Sequence, residues 1–368
     1  MEPMPRPAPR PATLRHVSEA AGVSLFTASR ALANQAGVAA ETRERVQRIA
    51  AELGYVANQA ARNLKHRRNQ TVGILTANTS NQYYPALAGA IEDELQAAGY
   101  GCFVSNAVSR NPDPAVDGIY QPARYDVERE DRFVAALLEQ RVAGVIVTYA
   151  LTEANLARLR QWNIPLLFVD CPPPAGHADL PAIGIDNAAA SHLLGRHLAG
   201  HGYGHWAFVG FPKDWTTRQP REQGFAAAAS EAGARLDIVE AGNDSDSASA
   251  AVGAYLDRAA KAGALPRALF ASNTPLLHGT WRALHARGLR VPTDIAVVAF
   301  DDFDWAPLLS PAVTVIDQHI ATLGQRAGGA MVAHLQAEAG APLASDLSLP
   351  ATLCIRRSCG CHDRSSSS

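Results

Sequence analysis

The sequence contains little cysteine and no long hydrophobic run. Its five cysteines among 368 residues are few and odd in number, which argues against a disulfide framework and indicates a reducing compartment. No uncharged apolar stretch reaches the ~18 residues of a membrane-spanning helix. Residues 1–11 carry proline and arginine but no apolar signal-peptide core. We therefore expect a disordered leader on a cytoplasmic protein without a membrane partner.

The motifs of common enzymes are also missing. No G-x-S-x-G nucleophile elbow occurs, and the glycine-rich run at 200–205 lacks the following lysine of a phosphate loop. The Cys359-Gly360-Cys361 segment with His362 does not have the spacing of a structural zinc site. We expect no catalytic activity, no cofactor and no metal.

Charge is distributed unevenly along the chain. Residues 1–68 hold 11 Lys and Arg against 5 Asp and Glu, whereas the remainder holds 22 against 30. A basic first segment on an acidic body suggests that only the first segment meets a polyanion. Chance clustering of charge on a solvated helical face is the alternative.

Three helical patterns fill residues 13–54, over 14–20, 24–32 and 41–53. Gly22 and Gly54 interrupt or end them. Apolar residues at helical spacing predict one small core, formed by Val17, Ala20, Val23, Ala28, Leu32, Val46, Ile49 and Leu53. The first two helices have the order of a helix-turn-helix, whose second helix can enter the major groove of DNA. A two-helix hairpin also occurs in ordinary helical proteins.

From Thr71 onward, apolar runs alternate with amphipathic helical stretches. Continuous apolar strands separated by helices are typical of parallel sheets that are covered on both faces. The length predicts two doubly wound lobes. Residues 107–126 are rich in turn residues and predict a surface insertion.

These segments resemble the LacI/GalR family of bacterial repressors. The resemblance is carried by TLRHVSEAAGVSLFTASRAL at 13–32, ETRERV, ELGYVAN, TVGILTANTSNQYYPALAGAIEDELQAAGY, RQPREQGF, ASNTPLLHGTWRALHARGLRVPTDIAVVAFDDFDWAP and TVIDQ. It covers almost the whole chain apart from the leader, the insertion and the tail. It implies an all-α helix-turn-helix headpiece followed by an α/β effector domain, whose two parallel-sheet lobes are similar to periplasmic sugar-binding proteins.

The domain boundaries follow from this organisation. We expect the headpiece at 12–57 and a hinge helix or linker at 58–70. The effector domain should span 71–357, with one lobe from 71–172 plus 304–336 and the other from 173–303 plus 337–357. A disordered tail should cover 358–368.

The resemblance assigns DNA-contacting residues by position. Leu25, Phe26 and Arg30 are expected to read bases: arginine can pair with guanine, and the apolar side chains can contact thymine methyl groups. Phe26 could instead belong to the headpiece core. Residues expected to contact the DNA backbone are Thr13, Ser24, Thr27, Ser29, Thr42, Tyr55 and Asn58, each of which could also be a helix cap or an exposed polar residue.

The basic segment after the headpiece contains Leu64, an unusual residue for a solvated linker. In the family, two such helices pair across a dimer and insert a leucine into the minor groove. Ala61 is small enough to allow that pairing. An ordinary linker leucine is the alternative.

The effector pocket is expected where strands end, because ligands of open α/β sheets bind at the carboxyl ends of strands. Candidates at strand ends or matching family pocket positions are Asn81, Tyr84, Asp170, Arg221, Asn273, Asp301, Trp305 and Gln318. Carboxylates with an arginine suit neighbouring hydroxyl groups, and either aromatic residue could stack on a sugar or simply pack. The chain departs from the family pattern at Ala33, Ala39, Ala57 and Thr274.

Together these observations predict a homodimeric repressor that binds a pseudo-palindromic operator in double-stranded DNA. A small carbohydrate or a related metabolite is expected to control it allosterically. A purine or nucleoside effector is the alternative within this class. A sugar-binding transport component is the alternative from another class, although the basic headpiece argues against it.

Overall fold

The computed structural model describes residues 12–32, 34–55, 70–78, 81–109, 124–337, 343 and 347–361. The chain forms two compact units, Met1–Asn69 and Gln70–Ser368. Among the described residues, no helix combines the length and the apolar character needed to cross a membrane. The predicted hinge residues Asn58, Ala61 and Leu64 lie outside the described part, as do Ala33 and Ala57.

In its described residues, 12–32 and 34–55, the first unit contains three helices, α1 (Leu14–Ala21), α2 (Leu25–Leu32) and α3 (Ala40–Glu52). The Thr13 hydroxyl accepts a hydrogen bond from the His16 backbone N–H and so caps α1. Gly22 adopts φ +62° and ends that helix, a conformation that glycine reaches without strain. The Ser24 hydroxyl accepts from Thr27 N–H at 3.0 Å before α2 begins. Capping therefore fixes the turn between the first two helices.

The headpiece core differs in part from the sequence prediction. Its fully buried members are Val17, Ala21, Ala28, Ala31, Val46 and Ala50. The prediction was wrong for Ala20, which is exposed, and for Leu53, which is 42% exposed. Leu53 follows the last residue of α3 and thus leaves its buried face, whereas Ala21 continues the spacing that Leu14 and Val17 begin.

The second unit alternates strands with helices, as predicted. Its strands are β1 (Thr71–Thr76), β2 (Gly101–Asn106), β3 (Val108–Ser109), β4 (Arg124–Tyr125), β5 (Gly144–Val147), β6 (Leu166–Val169), β7 (Ala182–Ile185), β8 (His205–Gly210), β9 (Arg235–Glu240), β10 (Ala268–Ala271), β11 (Ala296–Phe300), β12 (Thr314–Asp317), β13 (Leu347–Leu349) and β14 (Thr352–Cys354). Its α-helices are α4 (Tyr83–Ala97), α5 (Val127–Gln140), α6 (Glu153–Gln161), α7 (Asn187–Ala199), α8 (Arg218–Glu231), α9 (Ser245–Lys261), α10 (Thr274–His285) and α11 (Ile320–Gln336).

Two six-stranded sheets form the centres of two lobes. The first sheet has the order β13-β7-β6-β5-β1-β2, and its neighbouring strands run parallel. The second has the order β14-β12-β11-β10-β8-β9 and is parallel except at the edge strand β14. The predicted fold class, a helix-turn-helix headpiece followed by two parallel-sheet lobes, is confirmed.

Three strands lie in the lobe opposite to the predicted one. We expected β7 and β13 in the second lobe and β12 in the first. Instead β7 pairs with β6 and with β13, and β12 pairs with β11. The apolar pattern of a strand indicates that it is buried, but it does not identify the sheet that buries it. The chain consequently crosses between the sheets after β7, after β12 and after β13.

Glycine residues allow close packing of helix pairs on both lobes. A Cβ at Gly224 of α8 would overlap the Ala188 carbonyl of α7. A Cβ at Gly279 of α10 would lie 2.5 Å from the carbonyl oxygen of Ser245 in α9. On the first lobe, a Cβ at Gly328 of α11 would lie 3.0 Å from the Ile91 carbonyl oxygen of α4. At these three positions the backbones of the paired helices are too close to leave room for a side chain.

The predicted tail begins later than expected. Ser358 and Cys359 are fully buried. The Ser358 hydroxyl donates to Val297 O at 2.6 Å and accepts from Thr314 N–H at 2.8 Å, which ties the segment to β11 and β12. The prediction of a disordered tail was therefore wrong for 358–361, while 362–368 lie outside the described residues.

The predicted insertion is described only at its two ends. Ala107 is buried, and β3 pairs antiparallel with β4. Asp126 caps α5 through a bond from Arg129 N–H at 3.0 Å. The ends of the predicted surface loop therefore belong to the fold, and residues 110–123 lie outside the described part.

Candidate functional site

The second helix of the headpiece exposes apolar side chains at its start. Leu25 is 50% exposed and Phe26 is 60% exposed. The alternative that Phe26 belongs to the headpiece core was therefore wrong. Large apolar groups at the open N-terminal end of a short helix are available for contact with another surface.

Arg30, the third expected base-reading residue, is engaged within the headpiece. Its guanidinium donates to the Ala36 carbonyl and lies 5.4 Å from the centroid of the Phe26 ring. To donate two hydrogen bonds to a guanine, the Arg30 guanidinium would have to give up its hydrogen bond to the Ala36 carbonyl.

The remaining headpiece positions divide between capping and packing. Thr13 and Ser24 act as caps, and the hydroxyls of Ser24 and Thr27 lie 2.9 Å apart. Tyr55 packs against the headpiece core. Ser29 and Thr42 are half-buried. Ala39 precedes α3 without any side-chain cap, which is the local consequence of this departure from the family pattern.

A polar pocket lies in the second unit where strands of both sheets end. Asp170 follows β6, Asp301 follows β11 and Gln318 follows β12. The pocket is lined by Asn81, Tyr83, Tyr84, Asp170, Phe211, Trp215, Thr217, Arg221, Asn243, Asn273, Asp301 and Gln318. Seven of the eight expected effector residues thus come together; Trp305 is the exception.

Arg221 is buried and held in a fixed orientation. Its Nε donates to Asn187 Oδ1 at 2.7 Å and its Nη1 donates to the Ser272 carbonyl at 2.7 Å. The guanidinium carbon lies 3.7 Å from the centroid of the Phe300 ring. This side chain is held by contacts with Asn187 of α7, with Ser272 after β10 and with the Phe300 ring. Its positive charge is therefore preorganised in the pocket.

Asp301 is paired with neighbouring polar groups. Thr274 Oγ1 donates to its Oδ2 at 3.1 Å, and Gln318 donates to its Oδ1. Burial raises the pKa of Asp301, and the Arg221 charge opposes that shift. The departure at Thr274 therefore supplies a hydroxyl donor to this carboxylate.

Asp170 is less well satisfied. The residue is buried, and its Oδ1 has no hydrogen-bond partner in the described part of the chain. Burial raises the pKa of Asp170 to about 6, against the lowering effect of Arg221. A buried carboxylate oxygen without a donor is costly, and it can be satisfied by a ligand hydroxyl or amine.

Asparagine side chains complete the polar lining. Asn273 Oδ1 caps α10 by accepting from Leu276 N–H at 3.0 Å. Its Nδ2 donates to Asn243 Oδ1 at 2.8 Å. The pocket thereby contains carboxylate acceptors, a guanidinium donor and amides that can do both.

Aromatic side chains form the other part of the wall. Tyr84 and Trp215 line the polar pocket and also an adjoining cavity of about 510 Å³, which Tyr125 and Tyr149 border. The prediction of Trp305 as a lining residue was wrong for this structure. Its Nε1 donates to Gln82 Oε1 at 2.9 Å, and its ring lies 4.8 Å from that of His278.

The sequence prediction missed five lining residues, namely Tyr83, Phe211, Trp215, Thr217 and Asn243. Phe211 immediately follows β8, and Asn243 lies shortly after β9. The rule that identified Asp170 and Asp301 selects polar side chains directly after a strand, so it misses the apolar Phe211 and also Asn243, which lies three residues beyond β9. Tyr83 was missed because the prediction selected only its neighbour Tyr84 as a pocket residue.

A second cluster of potential ligands lies away from this pocket. It comprises His197, His201, Cys359 and Cys361, whose donor atoms all lie within 4.8 Å of one another. The expectation of no metal rested on the spacing around His362, which lies outside the described residues. The two histidines of the cluster are separated from the cysteines by about 160 residues in the sequence.

Comparison with known proteins gives a consistent family. Residues 13–58 match the model of bacterial regulatory proteins of the lacI family, and residues 196–359 match a periplasmic binding protein-like domain. The transcriptional regulator PtxS of Pseudomonas putida is 31% identical over 350 residues, 94% of this chain and 95% of its own length. The ribose operon repressor of Halalkalibacterium halodurans is 28% identical, covering 85% and 87%.

Two further similarities extend this result. The transcriptional repressor PurR of Pasteurella multocida is 27% identical, covering 86% of this chain and 90% of its own length. The crystal structure of the Lac repressor dimer bound to operator and the anti-inducer ONPF superposes with a TM-score of 0.79 at 25% identity. That superposition covers 95% of this chain and 99% of the other.

Proposed function

We infer the function from one premise: the chain belongs to the lacI family of bacterial regulatory proteins, which are DNA-binding transcriptional repressors with a ligand-binding domain. Its relatives are regulators and not enzymes. We propose that the effector of this chain is a small carbohydrate or a sugar-derived metabolite.

The proposal rests on the composition of the polar pocket. Two buried carboxylates, Asp170 and Asp301, lie with the fixed guanidinium of Arg221 and with the amides of Asn243 and Asn273. Neighbouring hydroxyl groups of a sugar can donate to carboxylates while accepting from a guanidinium. The unsatisfied Oδ1 of Asp170 is the observation that carries the argument, because it lacks a donor that such a ligand supplies.

A purine or nucleoside remains the second candidate. The cavity that adjoins the polar pocket is bordered by Tyr84, Tyr125, Tyr149 and Trp215. Aromatic walls of this kind can stack on a planar base. We prefer the carbohydrate because the polar pocket combines both carboxylates with the fixed arginine.

We further propose that two copies of the chain bind a pseudo-palindromic operator, since a two-fold dimer requires matching half-sites. Leu25 and Phe26 are proposed to contact bases, helped by Arg30. Ala61 and Leu64 are proposed to form the minor-groove hinge, as in the family resemblance. The effector changes operator affinity only if it binds one arrangement of the lobes better than the other.

Calorimetric titration of the full-length protein tests the effector class. Panels of pentoses, hexoses and their acids should include a ligand that binds, while purine bases and nucleosides should not. Asp170→Asn should abolish or weaken that binding, whereas Asp304→Asn, at an exposed position outside the pocket, should leave it intact. Binding of purines alone would overturn the carbohydrate proposal.

Gel-shift titration tests the regulatory class. Genomic fragments selected by the protein should bind more tightly than random duplex of equal length at moderate salt, and the identified effector should change that affinity. Equal affinity for selected and random DNA, with and without the effector, would contradict sequence-specific regulation.

A further inference from the structure

The cluster of His197, His201, Cys359 and Cys361 brings together two distant parts of the second lobe. His197 lies in the last turn of α7, and His201 follows four residues later, just beyond the helix. The two cysteines lie in the C-terminal segment after β14. Cys359 is buried and the other three are half-buried, so the cluster is shielded but reachable by an ion.

The separations among the donor atoms of His197, His201 and Cys361 are close to those of a tetrahedral site. With Zn–N of about 2.05 Å and Zn–S of about 2.3 Å, a tetrahedron requires N···N of about 3.3 Å and N···S of about 3.6 Å. The Nε2 atoms of His197 and His201 lie 3.4 Å apart. Cys361 Sγ lies 3.5 Å from His201 Nε2 and 3.8 Å from His197 Nε2. The Cys359 ligand atom completes the group within 4.8 Å of all the others.

Surrounding groups hold the ligands in place. Thr314 Oγ1 donates to Cys359 Sγ at 3.1 Å, and Tyr203 donates to the Cys359 carbonyl at 3.0 Å. The Tyr203 ring is stacked on His201, with centroids 5.4 Å apart. Hydrogen bonds and packing of this kind orient the ligands of metal sites.

The residue between the cysteines is constrained to glycine. Gly360 adopts φ +99° and would place a Cβ against the Tyr203 hydroxyl. Only glycine fits both the conformation and the space. The tight turn directs Cys359 and Cys361 toward the same pair of histidines.

We propose that His197, His201, Cys359 and Cys361 bind one Zn²⁺ ion as a structural site. Two imidazoles and two thiolates are a donor set that zinc prefers, and four protein ligands leave no position open for a substrate. The ion fastens the segment after β14 to the end of α7. The same helix begins at Asn187, which accepts from Arg221 of the effector pocket. The zinc site and the pocket therefore lie at opposite ends of one helix.

The metal content of the full-length protein tests this proposal. Protein purified in the presence of reductant and without chelators should contain about one zinc per chain. A chelator should remove it and lower the Tm, and one equivalent of Zn²⁺ should restore both. Cys361→Ser and His201→Gln should each lose the zinc. Two matched controls should retain it. One is Cys354→Ser, a cysteine outside the cluster, and the other is His192→Gln, a histidine of the same helix α7 that pairs with Glu231 of α8.

Cobalt substitution keeps the test decisive if a ligand variant fails to fold. Wild-type protein stripped of metal and loaded with Co²⁺ should show the intense visible bands of tetrahedral cobalt together with thiolate-to-cobalt charge transfer. Absence of both zinc and the cobalt spectrum would overturn the proposal. So would zinc loss in the control variants, or a thiol titration that finds Cys359 and Cys361 joined in a disulfide in the isolated protein.

Discussion

At the scale of single residues, the buried carboxyl group of Asp170 lowers the stability of the folded protein when it is ionised. Its pKa is raised by burial from 3.8 to about 6 in the folded protein. Because the folded pKa exceeds the unfolded one, the folded state takes up a proton as the pH falls through 6. The contribution of this residue to folding is therefore most favourable at low pH and is lost as the pH rises.

Asp170→Asn should accordingly raise the stability of the ligand-free protein at pH 7.5, by about 1–3 kcal/mol. The gain should shrink as the pH is lowered to 5, since the wild-type carboxyl is then largely protonated. Thermal unfolding at both pH values measures the difference in Tm. Asp304→Asn, the same substitution at an exposed position, serves as the control. A gain equal at both pH values would contradict the assignment of a raised pKa.

The residues of the polar pocket were predictable to the extent that they follow a strand. Asp170 and Asp301 were identified because a carboxylate directly after a buried strand points to the sheet edge where ligands bind. Trp305 was chosen because its ring could stack on a sugar, yet its side chain contacts Gln82 and His278 instead. The rotamer of an aromatic side chain depends on tertiary packing, which no local pattern contains.

At the scale of elements, α2 combines a buried alanine face with exposed large apolar residues. Phe26→Ala should change the free energy of unfolding by no more than about 0.5 kcal/mol, because the ring is exposed. It should weaken binding to a selected operator by roughly tenfold or more, as expected for a base contact of about 1–3 kcal/mol.

The matched control is Leu53→Ala, an exposed apolar residue of the same unit that lies beyond the end of α3. It should change neither stability nor operator affinity. Gel-shift titrations on operator and random duplex give the comparison. Equal loss of affinity in both variants would show that Phe26 has no special role.

The helix pair α4 and α11 provides a test of packing with two adjacent glycines. A Cβ at Gly328 would lie 2.6 Å from Glu94 Cβ, whereas a Cβ at Gly329 has no neighbour within 4 Å. Gly328→Ala should destabilise the protein by about 1–3 kcal/mol through overpacking. Gly329→Ala should stabilise it by about 0.5–1 kcal/mol, because alanine loses less entropy in a helix. Thermal unfolding of both variants measures the two changes in stability. Equal changes in both variants would contradict the close contact between α4 and α11.

The positions of helices and strands were easier to predict from the sequence than the sheet to which each strand belongs. The helices of the headpiece begin and end within a few residues of the predicted bounds, because capping residues and apolar spacing are local signals. The membership of β7, β12 and β13 was not predictable, since each has the same pattern in either sheet. The histidine–cysteine cluster was not predictable for a similar reason: nothing in the sequence indicates that His197 and Cys361 are neighbours.

At the scale of the whole molecule, the three crossings join the lobes at the ends of β7, β12 and β13. Gln318 follows β12, where one crossing begins, and lines the polar pocket. A ligand that contacts this crossing can favour one arrangement of the lobes over another.

The uneven charge predicts a strong dependence of DNA binding on salt. Residues 1–68 carry a net charge of +6, from 11 basic and 5 acidic groups, and the remainder carries −8, from 22 and 30. If two headpieces contact about six or more phosphates, the affinity for a selected operator should fall by roughly a thousandfold between 50 and 200 mM salt. Fluorescence anisotropy at several salt concentrations measures the slope. A flat dependence would contradict phosphate contact by the basic segment.

The order of the strands also bears on how the protein forms during synthesis. The headpiece core is complete once Tyr55 has left the ribosome. Both sheets of the body, in contrast, receive an edge strand from residues 347–354. Neither sheet can be completed until translation has reached these residues, so nascent chains carry a finished headpiece well before either lobe closes its sheet.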